Sequence, residues 1–136
     1  LTVVLRKTLD NNFCQPIDGS IMIKDIADNY SIESRCLSVL RFFGYFDVKK
    51  IAIFGSAKAA MIAKEFFDAA RIEIVCFVDD FASGEIQDIP IVKWDKFVDF
   101  YQERCSHIVK GPMQSADIAN RLGLSISVLE MSPDWL

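Results

Sequence analysis

Gly55-Ser56-Ala57-Lys58-Ala59-Ala60 follows directly on the apolar run Lys50–Phe54 and opens a pattern of helical period. A strand-to-helix turn of this kind suits phosphate. The first N–H groups of the helix have no intrahelical partner, and the helix dipole favours an anion beside them. A full dinucleotide loop reads Gly-x-Gly-x-x-Gly: the first glycine makes the turn, the second lets pyrophosphate approach, and the third packs helix on strand. Here Gly55 supplies the first, Ala57 replaces the second and Ala60 the third. Ala57 sets a methyl where phosphate should come close, while Ser56 and Lys58 add donors. The same residues also fit a plain strand-helix turn in a domain that holds no nucleotide.

Asp79 lies 24 residues beyond Gly55, at the end of the apolar run Ile72–Val78. An acid in that place can accept from both ribose hydroxyls of an adenosine, although Asp79-Asp80 also suits the start of a loop. Lys110-Gly111 closes a later apolar run. Lys110 there could meet a phosphate or a sugar carboxylate, or could be a solvated loop lysine. The candidate binding residues are thus Gly55, Ser56, Ala57, Lys58, Asp79, Asp80, Lys110 and Gly111. His107, the one histidine, begins the run that Lys110 ends, which is the wrong end of a sheet for catalysis. No Ser/His/Asp set, metal constellation or carboxylate pair at catalytic spacing is present, so no catalytic residue or metal is assigned.

These residues must be positioned by alternating strands and helices. Residues 51–54 read as a first strand. Positions 59, 62, 63, 66 and 70 are apolar at helical spacing from Ala57 to Arg71. Ile72–Val78 is apolar throughout except for Glu73, as expected of a strand covered on both faces. Phe81–Asp88 reads as a loop, and Ile89–Val92 as a short strand whose Pro90 fits an edge or a strand start. Trp94, Phe97, Val98 and Tyr101 form one face of a helix from Lys93 to about Arg104. Ser106–Val109 is a fourth strand. Ser115 can cap a helix running to Leu122, with Asp117 in its first turn, and Leu124–Leu129 is a fifth strand. Right-handed crossovers then give a parallel sheet of order 3-2-1-4-5. The class is α/β, a Rossmann-like sheet with a small helical N-terminal segment. Ligands of such sheets bind at the carboxyl ends of the strands, where the order reverses.

The N-terminal segment, 1–47, differs from the sheet domain, 48–136. Residues 1–50 hold seven Lys/Arg against six Asp/Glu, whereas 51–136 hold eight against thirteen. Residues 1–20 are turn-rich and give no clear element. Ile23, Ile26, Ala27 and Tyr30 share one helical face. Ser31 can cap a second helix, striped by Cys36, Leu37, Leu40 and Phe43 and ended by Gly44. This spacing fits a helix-turn-helix, and equally an ordinary helical hairpin.

Bulk composition narrows the function classes. A chain of 136 residues, 51% apolar and with 11 phenylalanines, can bury roughly 68% of its unfolded surface and needs no staples. A net charge of −4 argues against a nucleic-acid or membrane-surface binder. Cys14, Cys36, Cys76 and Cys105 form no CxxC pair and no Cys/His cluster, so free thiols in a reducing cytoplasm are expected. No run approaches the roughly 18 apolar residues of a membrane span. A start at Leu1 rather than Met suits an excised piece of a longer protein.

Three strings carry a resemblance: Lys49-Lys-Ile-Ala-Ile-Phe-Gly55, Val75-Cys-Phe-Val-Asp-Asp80, and Gly84 followed by Ile89-Pro-Ile-Val92. They resemble the small nucleotide-sugar-binding domain at the front of bacterial sugar O-acyltransferases. Similar strings occur in polysaccharide-biosynthesis epimerases and dehydratases, and in the C-terminal domain of sugar C-methyltransferases. The resemblance implies a nucleotide-sugar or NAD(P) bound at Gly55–Lys58 and Asp79, within a glycan-biosynthesis protein whose other domains would be partners. This chain departs from that pattern in its glycine-poor loop and in Lys110-Gly111-Pro112. It lacks a β-helix acyltransferase domain, so acyl transfer by this chain alone is not expected. Residues 24–46, ending Leu-Arg-Phe-Phe-Gly-Tyr-Phe, also look like the winged-helix segment of Rex-type redox-sensing repressors, whose Rossmann domain binds NAD(H). Three functions follow as expectations: a nucleotide-binding module, an NAD(H)-sensing transcriptional regulator with an N-terminal helix-turn-helix, and a degenerate module kept for protein-protein contact; a homodimer is a possible assembly.

Overall fold

The computed structural model describes residues 31–114 and 117–135. The proposed first helix around Ile23–Tyr30 and the turn-rich 1–20 lie outside the described residues. Residues 31–42 form helix α1. It buries Cys36 and Leu40 and stops where Gly44 turns to φ +89°. Tyr45 N–H then donates to the Leu40 carbonyl at 2.8 Å, and Gly44 N–H to that of Arg41 at 3.0 Å. This pair of bonds is the Schellman arrangement, which satisfies two of the last carbonyls of the helix.

The sheet has strands β1 (Lys50–Phe54), β2 (Glu73–Val78), β3 (Glu85–Ile86), β4 (Ile89–Val92), β5 (His107–Lys110) and β6 (Ser127–Glu130). Its order is β3-β4-β2-β1-β5-β6, and every pair is parallel except β3–β4. The five parallel strands therefore follow the order expected from right-handed crossovers, with the reversal between β1 and β5. Helix α2 (Lys58–Ala69) joins β1 to β2 and buries Ala60, Ala63, Phe66 and Phe67.

Two cores sandwich the sheet. Ile51, Ile53, Ile74, Phe77, Val109 and Leu129 face α1, α2 and Trp135. Ala52, Val78 and Ile108 face Trp94, Phe97 and Ile118 on the opposite side. Alternate residues of a strand point to opposite faces, so neither β1 nor β2 has a polar side. One irregularity breaks the alternation: Ile51 pairs with Ile74, but Ala52 pairs with Cys76. Val75 is the extra residue of a bulge, and consecutive Val75 and Cys76 consequently sit in the same core.

Three elements differ from their sequence reading. The stretch read as a loop contains β3, joined to β4 by Gln87 and Asp88 at φ +50° and +69°. Two left-handed residues make the two-residue turn that matches strand twist, although glycine usually marks it. Pro90 lies ahead of Ile91 and Val92, the β4 residues paired with β2. Helix α3 begins as an α-helix at Trp94–Lys96, widens to a π turn at Phe97–Tyr101 and tightens to 3-10 at Gln102–Arg104. That change of winding buries Gln102, whereas Val98 and Tyr101 are only half-buried. Finally, 117–123 is a series of turns, not the end of a helix begun at Ser115. The Gln102 carboxamide fixes these turns, donating to Gly123 O at 2.9 Å and accepting from Ser125 N–H at 2.9 Å. Of the described residues 117–122 only Ile118 is buried, so a helix there would have had little apolar face to dock.

Burial raises the Cys76 thiol to about 12 and that of Cys105 to about 11. Both should stay unlabelled by a thiol reagent in the native protein at pH 8 and react on unfolding, as mapped by mass spectrometry. Fast native labelling of Cys76 would contradict the two-face burial of β2. Cys76→Asp should cost about 3–5 kcal/mol in denaturant unfolding, because it buries an unpaired charge.

Candidate functional site

The chain leaves β1 at Phe54 and turns at Gly55, whose φ of +90° favours glycine. Gly55 N–H donates to the Val78 carbonyl at 2.7 Å, which pins the turn to the end of β2. Ala57 then takes the N-cap position of α2 with φ −97°, ψ −153°. Alanine is unstrained in that conformation, so the second glycine of the dinucleotide loop is not needed for the turn itself. It is a poor cap, however. No side chain caps α2 and its first turn holds no acid. The first amide donors and the positive end of the helix dipole are thus left to solvent or ligand. Lys58 is exposed on this first turn.

Asp79 reaches back from β2 to this turn. Its Oδ2 accepts the Ser56 hydroxyl at 2.6 Å, and its Oδ1 accepts Phe81 N–H at 2.8 Å. Partial burial pushes the Asp79 carboxyl up. The bonds from Ser56 Oγ–H, Phe81 N–H and Ser56 N–H, together with the Lys93 charge, outweigh it and hold the group below its ordinary value. Asp80 has a different task. Its Oδ1 accepts Trp94 N–H at 2.8 Å and caps α3, while Lys93 Nζ donates to its carbonyl at 3.0 Å.

Gly55, Ser56, Ala57, Asp79 and Asp80 line one cleft of about 240 Å³ at the carboxyl ends of β1 and β2. Lys58, Lys110 and Gly111 are not among its lining residues. Lys110 pairs with Glu130 between β5 and β6. Gly111 is buried against the first turn of α2, where a β-carbon would collide with the Ala59 carbonyl oxygen. Its contribution is close backbone approach. His107 begins β5, with Nδ1 3.0 Å from Ser106 Oγ; burial lowers its pKa, and nearby Asp47 only partly opposes this.

Two lining residues were not legible beforehand. Arg121 enters the cleft from the turns before β6. Its guanidinium carbon lies 4.7 Å from the Trp94 ring centroid and 5.3 Å from that of Phe54, and Nη2 is 3.8 Å from Asp80 Oδ2. Gln114 accepts Gly111 N–H at 3.2 Å, and its Nε2 lies 3.0 Å from where a Gly55 β-carbon would be. The only sequence signal for either was proximity to Gly111 and Gly123. Among the described residues no group of His, Cys, Asp and Glu could hold a metal ion. None of their helices is long and apolar enough to cross a membrane. No protein-family model matches the chain, and neither a curated protein nor a solved structure is detectably similar to it.

The lowered Asp79 value has a sign that can be checked. Its carboxylate stabilises the fold above the ordinary aspartate range, and this contribution disappears as pH falls through the lowered folded value, in a window below about pH 4. Asp79→Asn should therefore destabilise at pH 7, by about 1.5–3 kcal/mol for hydrogen bonds to a charged group. The gap from wild type should close in acid. A gap that is constant from pH 7 to pH 3 in urea unfolding would show that the charge of Asp79 contributes nothing.

Proposed function

We propose that this protein binds a nucleotide, a nucleotide-sugar or NAD(P), at the Gly55–Asp79 cleft, as one module of a bacterial glycan-biosynthesis protein. The observation that carries the reading is the composition of the cleft. An uncapped helix start, the Asp79 carboxylate and the Arg121 cation meet at the carboxyl ends of β1 and β2. Phosphate is an anion, and both the amide donors and Arg121 suit it. Ribose hydroxyls are donors, and Asp79 suits them. Arg121 also places a cation in the cleft wall, which Lys58 of the glycine-poor loop does not join. The glycan context rests on the sequence resemblance alone, and the described residues suggest no catalytic set.

A second reading, protein-protein contact, is favoured by Phe42 at the end of α1 and Phe46 just beyond it, which are 83% and 71% exposed. Apolar surface of this kind often marks a contact site.

A thermal-shift panel of NAD(H), NADP(H), UDP-sugars and CoA separates the two readings, and Ala57→Asp sharpens it. Aspartate is a strong N-cap where alanine is weak, so the variant should gain about 0.5–2 kcal/mol of stability. The new carboxylate would occupy the free amides and repel phosphate, so the ligand-induced shift should vanish. A ligand that stabilises Ala57→Asp as much as wild type would place its phosphate elsewhere. A panel with no shift at all would leave the contact reading.

A further inference from the structure

We infer that the cleft accepts a single nucleoside 5′-phosphate unit, so that its ligand carries one base, as a free mononucleotide or a nucleotide-sugar does, and is not a dinucleotide. The inference rests on the nucleotide-binding reading above and chooses between the ligand classes it leaves open.

A dinucleotide must cross the glycine turn, with its pyrophosphate over the first glycine and its second nucleoside on the far side of β1. Two features occupy that path. The Gln114 carboxamide lies directly on Gly55, held by its bond from Gly111 N–H. Gly111 itself is packed so tightly against Ala59 that no β-carbon fits between them. The β5 exit is thereby joined to the first turn of α2, and among the described residues the cleft is lined from the ends of β1 and β2 and by Gln114 and Arg121, with no residue of β5 in its wall. That space, about 240 Å³, is below the roughly 300–1,000 Å³ of ordinary ligand sites. A cleft of that size favours the smaller of the two ligand classes.

The walls give each part of such a unit a partner. Phe81 lines the cleft and is 98% exposed, which leaves its ring open for a base to stack on. Asp79 stands two residues before it at the ribose position. Arg121 is the one cation among the described lining residues, and Ala57, Ala59 and Ala60 at the uncapped start of α2 line the same cleft. Stacking on Phe81 is tolerant of base identity, so the base itself is to be found by experiment.

Calorimetric titration of the whole chain with AMP, UMP, UDP-glucose and NAD+ tests this. At least one mononucleotide should bind, with NAD+ no tighter than AMP. If the free nucleotide is the ligand, UMP will match or exceed UDP-glucose; if the sugar lies over the rim, UDP-glucose will be the tighter. Phe81→Ala should weaken the binding ligand about tenfold, the loss expected for one base-aromatic stack. Gln114→Ala should raise NAD+ affinity relative to AMP by clearing the crossing. NAD+ binding at least tenfold tighter than AMP to wild type would overturn the inference and leave nucleotide binding intact. So would mononucleotide binding that Phe81→Ala leaves unchanged. No binding by any of the four would remove both.

Discussion

Burial of β1 and β2 on both faces governs where everything else in the molecule can go. With apolar side chains pointing up and down, these strands offer water only their ends. Helices must cover both faces, so each connection between parallel strands crosses the sheet and the loops gather at the strand ends. Polar chemistry is pushed to those ends. Glu73 is exposed where β2 begins, and Asp79 and Asp80 follow where it stops. The cleft exists because the middle of the sheet has no place for a charge.

Within the cleft, the groups that the proposed ligand would meet also hold the fold together. Asp79 joins two loops by accepting from Ser56 and Phe81, and it is the carboxylate that the proposed ribose would use. Asp80 caps α3 and faces Arg121, which rests on the aromatic ring of Trp94. Trp94 in turn donates its indole N–H to Leu122 O at 2.9 Å, adjacent to Arg121 in the chain. The cation is thus presented by a loop with no regular secondary structure, held by one tryptophan and one buried glutamine. Pre-ordering of this kind lowers the entropy a ligand must remove on binding.

Much of this arrangement was written in local sequence. The apolar run of β2, the strand-glycine-helix junction at Gly55 and the stop at Gly44 each depend on a few adjacent residues, and each holds in the structure. What was not legible depends on distant partners. The turn at Gln87-Asp88 has no glycine, and β3 exists because β4 is beside it. Where a helix ending at Leu122 is expected, the described residues 117–123 form turns, and Gln102, some twenty residues earlier, holds Gly123 and Ser125 beyond them. Val75 reads as an ordinary strand residue, and only the register against Ile51 and Ala52 makes it a bulge. Of the candidate site residues, Gly55, Ser56 and Ala57 on one turn and Asp79 and Asp80 at one strand end converge on the cleft, whereas Lys58 on the same turn does not line it. Lys110 and Gly111 belong to another contact, and Arg121 and Gln114 had no local motif to announce them.

Trp135 docks between elements from the opposite end of the described chain. Its ring lies 5.2 Å from that of Phe43, 5.5 Å from Phe66 and 6.1 Å from Tyr45. The core on the α1 side is therefore closed by a residue made about ninety positions after the aromatic pair it meets. While the chain is being synthesised, α1 and α2 leave the ribosome with that apolar surface uncovered, and it stays so until residue 135 has emerged. Among the described residues, the contacts that Trp135 makes with Phe43, Tyr45 and Phe66 can therefore form only after nearly the whole described chain has been made.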